Sequence, residues 1–413
     1  MAEDFAKSFF ASRIGGENFG RIEKLYKFER IKRAKRMALA KYPDRIILDM
    51  GVGEPDEMAD RKVVDALFDE AGKFENRGYA DNGCAEFKKA ATEYMSTTFN
   101  VSLDFDTEIL HSIGSKAALS ILPLCFVNKR DIVIATTPGY PIFGTHASYL
   151  GANVIKLPLL GINDYLPDIE GLGEKILNKA KVIVLNYPNN PTGATATREF
   201  FKKIVELAHK YQILVINDAA YAALSFKKSD RLSLLEIDGA REVALEVHSM
   251  SKGFNMTGWR IGWICGNKYL INAYGSVKDN TDSGQFLPIQ KAAIQALMNI
   301  SIPEFNAARY SRRMDAAIGV MDGCGFKFSK PKAGFFLYGP IPLGARFNGS
   351  TVRFESAEQF SEWMIEELGI VCVPWDEAEP AIRLSMTFSS DTLDEQQALK
   401  ILRERVSSVQ FFL

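Results

Sequence analysis

Short apolar runs rich in β-branched residues alternate with helix-length segments through the middle of the chain. Most of these runs lack a strict alternation of apolar and polar residues, which is typical of strands buried on both faces of a parallel sheet. The pattern predicts an α/β fold, with a mostly parallel sheet sandwiched by helices and ligand-binding loops at the carboxyl ends of the strands. The runs lie at 132–135, 153–155, 182–185, 213–216, 243–247 and 261–265.

The last third of the chain has a different pattern. Residues 286–323 are predicted to be mostly helical, and Pro288 stands where the first turn of a helix accepts proline. Beyond them, strand and helix candidates are mixed and more widely spaced, which favours a smaller α+β domain. The strand candidates are 335–338, 370–373 and 381–386, and the helix candidates are 357–368 and 391–406.

The length of the chain bounds its division into domains. With 413 residues it is too long for one small module, and two or three domains are expected. We expect residues 51–300 to form a large ligand-binding domain and residues 301–413 a small C-terminal domain. Residues 1–50 are expected to form an N-terminal arm and part of the small domain.

A basic amphipathic segment precedes the first strand. Ile31, Ala34, Met37 and Ala38 recur at helical spacing among lysines and arginines. The spacing predicts a helix, and the simplest interpretation of its basic face is that water solvates it.

Composition argues against several classes of partner. Fifty lysines and arginines oppose fifty-one aspartates and glutamates, and the net charge of -1 gives no electrostatic reason to expect nucleic acid or an anionic membrane. The longest apolar run, 117–127, is interrupted by Pro123 and falls far short of the ~20 residues that span a bilayer. Glu3 and Asp4 precede any apolar stretch, which is not typical of a secretion signal, so we expect a cytoplasmic protein.

Metal and disulfide chemistry are not expected. The five cysteines are far apart and include no Cys-x-x-Cys pair, and the four histidines include no His-Glu-x-x-His pattern. The sequence therefore predicts neither a disulfide framework nor a metal site.

The sharpest chemical signal is the segment 248–263, HSMSKGFNMTGWRIGW, which directly follows a predicted strand. Lys252, just past a buried strand, would be partly desolvated, which lowers the pKa of its amine and frees it as a nucleophile or base. Ser249, Ser251 and Arg260 offer the hydroxyls and the guanidinium of a phosphate cradle. The competing interpretation is a surface lysine beside serines that cap a helix.

Two further polar sites follow neighbouring strands. Asp218 ends the strand of ILVINDAAY (213–221), with Tyr221 three residues later, and a shielded carboxylate there needs a cationic partner such as a protonated ring nitrogen. In NYPNNPTG (186–193) prolines and a glycine fix the backbone, from which Asn190 can present its amide to a ligand. Taken alone, each is also compatible with an ordinary turn or loop.

Two weaker signals lie earlier in the sheet. Ser115 and Lys116 follow a short predicted strand at 109–112 and begin a helical segment, whose first backbone N–H groups suit a phosphate dianion. Tyr140, in the turn PGYP, could stack on a planar ligand, although a lone aromatic side chain more often serves packing. The five signals gain force from their order, because all of them fall at successive strand ends of one sheet.

These residues make the chain resemble the fold-type I pyridoxal-phosphate aminotransferases of class I/II across nearly its whole length. The resemblance implies the cofactor pyridoxal 5'-phosphate and amino-group transfer between an L-amino acid and a 2-oxo acid, with 2-oxoglutarate and glutamate as one pair. It also implies a homodimer with shared active sites. The motifs that carry the resemblance are NNPTG (189–193), DAAY (218–221), SMSKGFNMTGWRIG (249–262) and RLS (383–385).

The resemblance also implies a role for each cofactor-binding residue. Lys252 would bind the cofactor covalently and later shuttle the α-proton, and Asp218 would keep the pyridinium nitrogen protonated. The other contacts would come from Tyr221 and Asn190 to the phenolic oxygen, from Tyr140 to the ring face, from Ser115, Lys116, Ser249, Ser251 and Arg260 to the phosphate, and from Tyr79 in RGYADNG (77–83) to the neighbouring subunit's phosphate.

For the substrate, the resemblance implies that Arg383 clamps the α-carboxylate, with the Gly53 backbone and the Asn190 amide beside it. Within the family, the chain is most similar to the LL-diaminopimelate aminotransferases of lysine biosynthesis and their relatives. That likeness rests on Lys116 after Gly-Ser, on Asp81 and on the loop 279–286, DNTDSGQF.

The same likeness implies contacts to the far end of the substrate. Asp81 would receive the distal ammonium across the dimer interface, and Asn280 and Ser283 would serve the distal carboxylate. The short acidic stretch VPWDEAEPAIR (373–383) is expected to reshape the substrate entrance.

Other activities stay open at this point. The loop 276–286 contains no arginine for the side-chain carboxylate of aspartate or glutamate, although Lys278 could substitute for one. An aspartate, alanine or aromatic aminotransferase is therefore an alternative, and β-lyase chemistry on the same cofactor is a further one.

Overall fold

The computed structural model of the chain describes residues 8–19, 27–390 and 393–412. Glu3 and Asp4, which bear on the expectation about secretion, lie outside these ranges, as do positions 391 and 392 at the start of the predicted helix 391–406. Among the described residues no helix is both long and apolar enough to cross a membrane.

Each predicted apolar run contains or overlaps a strand of the described ranges, and further strands occur outside these runs. They form four sheets, the largest of which has seven strands. The strands are β1 (Leu48–Asp49), β2 (Ile109–Ser112), β3 (Ile132–Thr137), β4 (Asn153–Pro158), β5 (Ala180–Leu185), β6 (Leu214–Asp218), β7 (Ala244–Ser249), β8 (Gly262–Gly266), β9 (Phe336–Pro340), β10 (Gly344–Phe347), β11 (Ser350–Arg353), β12 (Ile370–Val371), β13 (Val373–Trp375), β14 (Ala381–Ser385) and β15 (Gln410–Phe412).

Helices fill the connections between most of these strands. The segment 286–323, predicted to be mostly helical, forms two helices, and Pro288 lies in the first turn of the earlier one. The α-helices are α1 (Lys27–Lys41), α2 (Arg61–Ala71), α3 (Ala85–Phe99), α4 (Ser115–Phe126), α5 (Ile142–Tyr149), α6 (Glu174–Leu177), α7 (Arg198–Tyr211), α8 (Ala240–Val243), α9 (Met250–Gly253), α10 (Lys268–Lys278), α11 (Leu287–Leu297), α12 (Ser301–Asp322), α13 (Ala357–Leu368) and α14 (Glu395–Ser407).

The seven-stranded sheet has the order β2-β8-β7-β6-β5-β3-β4. The strands β3 to β7 pair in parallel, whereas β8 runs antiparallel to both β2 and β7. The prediction of a mostly parallel sheet sandwiched by helices is therefore confirmed. The parallel strands β5, β6 and β7 all end at the same edge, so the residues that follow them lie near one another.

Both faces of this sheet are buried, which explains why its strands read as unbroken apolar runs. Ile183 and Val215 pack into one core layer, whereas Val182 and Ile216, their neighbours along the same strands, pack into the layer on the opposite face. Each layer is completed by apolar residues of the covering helices. Two apolar layers thus hold the sheet and the loops at its carboxyl edge in place.

The later strands build smaller sheets. Strands β13, β14 and β9 form an antiparallel sheet in that order, with Arg383 of β14 opposite Tyr338 of β9. Strand β1, near residue 48, pairs in parallel with β12. The predicted division of the chain at residues 50 and 300 stays a prediction.

The predicted N-terminal helix is α1. Its residues Ile31, Ala34 and Ala38 are buried against α13 and the strands β12 and β13, while Met37 is 48% exposed. One apolar stripe thus attaches α1 to a part of the chain that lies hundreds of residues later.

The segment 50–56 leads from β1 to the candidate site, and hydrogen bonds fasten it to β14. The N–H of Ser385 donates to the main-chain oxygen of Met50 at 2.7 Å. Nη2 of Arg383 donates to the main-chain oxygen of Gly51 at 2.8 Å. The small sheet therefore holds this segment against the edge of the large one.

Candidate active site

Lys252 lies in α9, a single turn that begins directly after β7. Ser249 caps this turn, because its Oγ accepts a hydrogen bond from the Ser251 N–H at 3.1 Å. Burial lowers the pKa of Lys252 to about 8, an effect that the nearby Glu54 carboxylate opposes. About a tenth of these amines is thus uncharged at pH 7, far more than for an ordinary lysine, and the uncharged form is the one that acts as a nucleophile or base.

The Lys252 amine contacts the segment fastened to β14. Its Nζ donates to the main-chain oxygen of Gly53 at 2.8 Å. A Cβ at position 53 would lie 3.7 Å from Nη2 of Arg383, so the guanidinium passes close to this glycine. Lys252, Gly53 and Arg383 are thus brought together from three distant parts of the chain.

Asp218 is the last residue of β6 and is only 4% exposed. One of its carboxylate oxygens accepts a hydrogen bond from the Ala220 N–H at 3.3 Å. Burial raises the pKa of Asp218 to about 7, against the opposing effects of the Ala220 N–H and of Lys252. One long hydrogen bond offsets little of the free energy lost when this carboxylate leaves water, so a cation placed against it would stabilise its charged form.

Two asparagines shape the loop 186–193, which follows β5. Asn186 donates from Nδ2 to the main-chain oxygen of Asp218 at 2.7 Å, and its Oδ1 accepts from the Asn190 N–H at 2.9 Å. Oδ1 of Asn190 accepts in turn from Nη1 of Arg383 at 3.0 Å. Because Oδ1 is engaged by Arg383, the NH₂ group of Asn190 is the part of its amide that can donate to a ligand.

Arg383 is buried in β14 without an acidic partner. Its guanidinium carbon lies 4.2 Å from the centre of the Phe336 ring, and burial lowers its pKa to about 10. Within the described part of the chain, no carboxylate forms an ion pair with it and its Nε has no hydrogen-bond partner. A buried guanidinium with an unused donor is suited to a carboxylate ligand.

Arg260 lies against the N-terminus of α4. Its Nη1 donates to Ser251 Oγ at 3.1 Å and to the main-chain oxygen of Thr257 at 2.7 Å. Gly114, the residue before α4, has a φ of +75°, and a Cβ there would come within 2.4 Å of Nη2 of Arg260. No side chain of the described residues caps this helix, whose first residue is Ser115, so its free N–H groups and the guanidinium are suited to an anion.

Three aromatic or basic residues border this cluster. Tyr221 is buried with its ring 5.5 Å from that of Phe336, and burial raises the pKa of its hydroxyl. Tyr140 is 38% exposed and close enough to Tyr221 to influence the same pKa. Lys116 is exposed in the first turn of α4.

Tyr79, Asp81 and Asn280 form a second group of predicted site residues. All three are exposed, Tyr79 to 84%. No hydrogen bond found within the described ranges joins any of them to the residues around Lys252. Nδ2 of Asn280 instead donates to the main-chain oxygen of Ser276 at 3.0 Å, at the end of α10.

The two loops that carry these residues are packed together. Nζ of Lys278 donates to the main-chain oxygen of Asp81 at 2.8 Å and to Asp282 Oδ1 at 2.7 Å. At Gly284 a Cβ would come within 2.5 Å of the Asp81 nitrogen. Because its amine is buried and engaged, the suggestion that Lys278 replaces a substrate-binding arginine is wrong.

Two residues that shape the site, Asn186 and Phe336, have no role in the sequence analysis. Asn186 stands in a quoted motif, and its position directly after β5 is the signal that could have identified it. Phe336 lies in a predicted strand, but nothing in the sequence indicates that its ring contacts Arg383. That contact depends on the pairing of β9 with β14.

The arrangement fits pyridoxal phosphate. Lys252 offers an amine of lowered pKa for the aldehyde, and Asp218 offers a buried carboxylate that needs a cation such as a protonated ring nitrogen. Arg260 and the α4 N-terminus offer the cationic surroundings that a phosphate prefers. Among the described residues no group of histidine, cysteine, aspartate or glutamate side chains could hold a metal ion.

Comparisons with known proteins agree with this geometry. The family model of the class I and II aminotransferases matches residues 45–397. LL-diaminopimelate aminotransferase from Methanocaldococcus jannaschii is 47% identical over 387 residues, which cover 94% of this chain and 91% of that protein. The protein of the same name from Methanococcus maripaludis is 43% identical and is covered to 99%, as is this chain.

Solved structures show the same fold. Substrate-bound BacF from Bacillus subtilis superposes with a TM-score of 0.84 at 29% identity, over 98% of this chain and 99% of that one. A single mutant of Thermus thermophilus aspartate aminotransferase superposes with a TM-score of 0.82 over 96% of this chain and 99% of that one, but at 24% identity it supports the fold alone.

The fold and the site define an enzyme that uses pyridoxal phosphate at the carboxyl edge of a parallel sheet. The chain belongs to the family of class I and II aminotransferases. It is a pyridoxal-phosphate-dependent aminotransferase that acts on small amino acid and 2-oxo acid substrates, and the resemblance of its motifs to this family is confirmed.

Proposed function

We propose that this aminotransferase takes the amino group of LL-diaminopimelate and transfers it to 2-oxoglutarate, a reaction of lysine biosynthesis. The observation that carries the choice of substrate is the likeness to two proteins named for this activity. They are 47% and 43% identical and are matched over more than nine tenths of their own lengths. We infer a cytoplasmic location, where such a biosynthetic enzyme meets its small-molecule substrates, with no nucleic-acid or membrane partner.

The cofactor-binding residues form the first part of the proposal. When bound, pyridoxal phosphate supplies an electron sink for the charge that the departing α-proton leaves behind. Nζ of Lys252 would take that proton from the α-carbon and deliver it to the former aldehyde carbon of the cofactor, as its lowered pKa allows. The Asp218 carboxylate would keep the ring nitrogen protonated, and Tyr221 and Asn190 would donate to the phenolic oxygen.

The phosphate would be held by the anion site at the start of α4. Arg260 contributes the cation, and the contact of its guanidinium with Ser251 supports this assignment. The remaining donors would be the backbone and side chains of Ser115 and Lys116 together with the Ser249 hydroxyl. Tyr140 would lie against the face of the ring.

Arg383 is the proposed clamp for the substrate α-carboxylate. Its buried guanidinium lacks an acidic partner among the described residues, and its bond to Asn190 fixes the fork beside the Lys252 amine. The Gly53 main chain lies next to both groups. A planar fork gives a carboxylate two parallel charge-assisted hydrogen bonds, which a lysine cannot do.

We further propose a homodimer in which each subunit completes the other's site. Tyr79, Asp81 and Asn280 are exposed on two packed loops and form no hydrogen bond to their own subunit's cluster among the described residues, which suits a role in a neighbouring site. Tyr79 would reach the partner's phosphate, Asp81 the distal ammonium of the substrate and Asn280 its distal carboxylate. Lys116, exposed beside the phosphate, is a further candidate for the distal carboxylate.

The proposed substrate is tested by supplying the purified holoenzyme with 2-oxoglutarate and one amino donor at a time. The donors are LL-diaminopimelate, aspartate, alanine and phenylalanine, and glutamate is measured as the product. We expect the highest kcat/KM with LL-diaminopimelate. No turnover of that donor would eliminate the proposal and return aspartate, alanine or aromatic amino acids to first place.

The β-lyase alternative predicts different products. Such chemistry releases ammonia and a 2-oxo acid such as pyruvate without converting 2-oxoglutarate into glutamate. Stoichiometric glutamate therefore supports transamination, whereas ammonia with no amino-acid product would contradict it. No contact in the described residues favours elimination over transfer.

A further inference from the structure

The side chain of Gln285 is hydrogen-bonded at both ends. Its Nε2 donates to the main-chain oxygens of Trp259 and Arg260, each at 2.7 Å. Its Oε1 lies 2.8 Å from Nε2 of His111. Gln285 is only 9% exposed, and it stands outside the motifs that identify the cofactor site.

The two carbonyls that Gln285 binds belong to an unusual turn of the backbone. Arg260 has φ 57° and ψ 53°, in the left-handed region that residues with a Cβ seldom adopt. This turn brings successive carbonyls to one Nε2 atom, while the Arg260 guanidinium reaches Ser251 and the α4 N-terminus. A hydrogen-bond donor at this point therefore opposes relaxation of Arg260 toward ordinary backbone angles.

His111 fixes which way round the Gln285 amide lies. Because the amide nitrogen donates twice, the amide oxygen must accept, so Nε2 of His111 carries the hydrogen of that bond. Burial lowers the pKa of His111 to about 4, against the effect of its bond to Gln285; Lys278 nearby lowers it as well and Asp282 raises it. The imidazole is thus neutral near pH 7 and serves as a fixed donor to the amide.

We propose that Gln285 is a positioning residue for the cofactor phosphate: it holds the backbone of Arg260 in the left-handed turn that aims the guanidinium at the α4 N-terminus. The inference rests on the proposed function, in which Arg260 is a phosphate ligand. Gln285 itself touches neither cofactor nor substrate in this assignment. Its effect should therefore appear only in the part of cofactor affinity that the phosphate contributes.

The test compares two cofactor forms that differ only in the phosphate. Dissociation constants of pyridoxal 5'-phosphate and of pyridoxal are measured by absorbance titration of the cofactor-free protein. In Gln285→Met, which keeps the length of the side chain but lacks the donor, we expect affinity for pyridoxal phosphate to fall by about tenfold, as the loss of two hydrogen bonds suggests. Affinity for pyridoxal should hardly change.

Two reference variants make the result interpretable. Arg260→Ala removes the proposed phosphate ligand, and adding Gln285→Met to it should cause little further loss, because the two residues act on the same contact. Ser361→Ala removes a buried hydroxyl that donates to the main-chain oxygen of Cys372 at 2.9 Å, between β12 and β13 and not at the phosphate site, and should leave both affinities unchanged. If Gln285→Met does not fold, Gln285→Asn, whose shorter amide cannot reach both carbonyls, is measured instead and should shift the same ratio.

The possible results separate the inference from the function on which it rests. A selective loss of pyridoxal phosphate binding in the Gln285 variant supports the positioning role. An equal loss for both cofactor forms, or no loss, overturns it. If Arg260→Ala also leaves the ratio of the two affinities unchanged, the proposed phosphate role of Arg260 fails too. If Arg260→Ala changes the ratio and Gln285→Met does not, the positioning role of Gln285 fails and the phosphate role of Arg260 stands.

Discussion

Lys252 and Asp218 show how burial acts in opposite directions on single residues of one site. Loss of water lowers the pKa of the Lys252 amine to about 8 and raises that of the Asp218 carboxyl to about 7. The amine thereby becomes available as a nucleophile, while the carboxylate comes to depend on a neighbouring cation. Both consequences are useful only to a ligand that carries an aldehyde and a basic ring nitrogen.

We expect Lys252→Ala to abolish turnover and to remove the absorbance band of the covalently bound cofactor. The substitution removes one hydrogen bond to Gly53, so the fold should persist. Absorbance spectra and the donor assay check this, with Lys202→Ala, on the exposed face of α7, as a control that keeps both signals. A retained band and retained activity in Lys252→Ala would refute the assignment.

Asp218→Asn should slow α-proton removal by an amount equivalent to several kcal/mol, because the neutral amide no longer favours the protonated ring nitrogen. The solvent-exchange rate of the substrate α-proton measures that step directly. Cofactor binding should weaken as well, yet saturation with cofactor should not restore the rate. A normal exchange rate would remove the argument for an electron sink sustained by this carboxylate.

The same substitution should stabilise the cofactor-free protein at high pH. Asp218 has a higher pKa when folded, about 7, than when unfolded, so folding favours its protonated form. Below about pH 4 the group is protonated in both states, and its burial lowers the free energy of unfolding little. Between about pH 4 and pH 7 the free energy of unfolding falls progressively, and above about pH 7 the full loss is present. We expect Asp218→Asn to raise the free energy of unfolding at pH 8 by a few kcal/mol and to change it little at pH 4. Urea unfolding at the two pH values measures the difference, and an equal effect at both would contradict it.

Chemistry at the strand ends could be predicted from the sequence, because Asp218, Asn190 and Lys252 each follow a recognisable apolar run. The contacts among these residues could not. The bond between Arg383 and Asn190 joins positions 193 residues apart, and it depends on how two sheets meet. The suggestion about Lys278 failed for a similar reason, since its amine donates to the main-chain oxygen of Asp81, 197 residues earlier in the chain.

At the scale of elements, the junction between β2 and α4 forms the proposed phosphate site. We expect Gly114→Ala to displace the Arg260 guanidinium, since the new Cβ would lie 2.4 Å from Nη2, and the φ of +75° disfavours alanine as well. Affinity for pyridoxal phosphate should fall by about tenfold or more, on the scale of losing one charge-assisted contact. Titration with cofactor measures this. Gly349→Ala, at a glycine of similar positive φ with open space around it, is the control for backbone strain alone, and an equal effect there would contradict the steric explanation.

The elements themselves could be predicted only as far as their apolar patterns allowed. Strand β8 reads as one more buried run, and its antiparallel direction has no signature in the sequence, since buried strands of either direction look alike. The strands β10, β11 and β15 were not anticipated, because they are short and only partly buried. The prediction of a mostly helical segment 286–323 did not locate the break that separates α11 from α12, although Pro303, in the first turn of α12, is a signal for it.

At the scale of the whole molecule, the proposed sharing of active sites predicts complementation between two inactive variants. A mixed dimer of Tyr79→Ala and Lys252→Ala subunits would have one site with both residues intact, because under this proposal each side chain comes from a different subunit. Activity should therefore reappear when the two proteins are unfolded, mixed and refolded. Lys252→Ala mixed with Asp218→Asn should stay inactive, since both of those residues come from the same subunit. Failure of the first mixture to regain activity would contradict the shared site.

The attachment of α1 to α13, β12 and β13 has a consequence during protein synthesis. When Ile31, Ala34 and Ala38 leave the ribosome, the residues that cover them, such as Val371 and Val373, have not yet been translated. Strand β1 likewise cannot pair until β12 has been translated, and the Gly51 carbonyl cannot accept its hydrogen bond until Arg383 has been translated. The apolar stripe of α1 therefore stays exposed on the nascent chain until about the last tenth of the sequence has been translated. Exposed apolar surface of this kind is prone to aggregation and is what chaperones shield during synthesis.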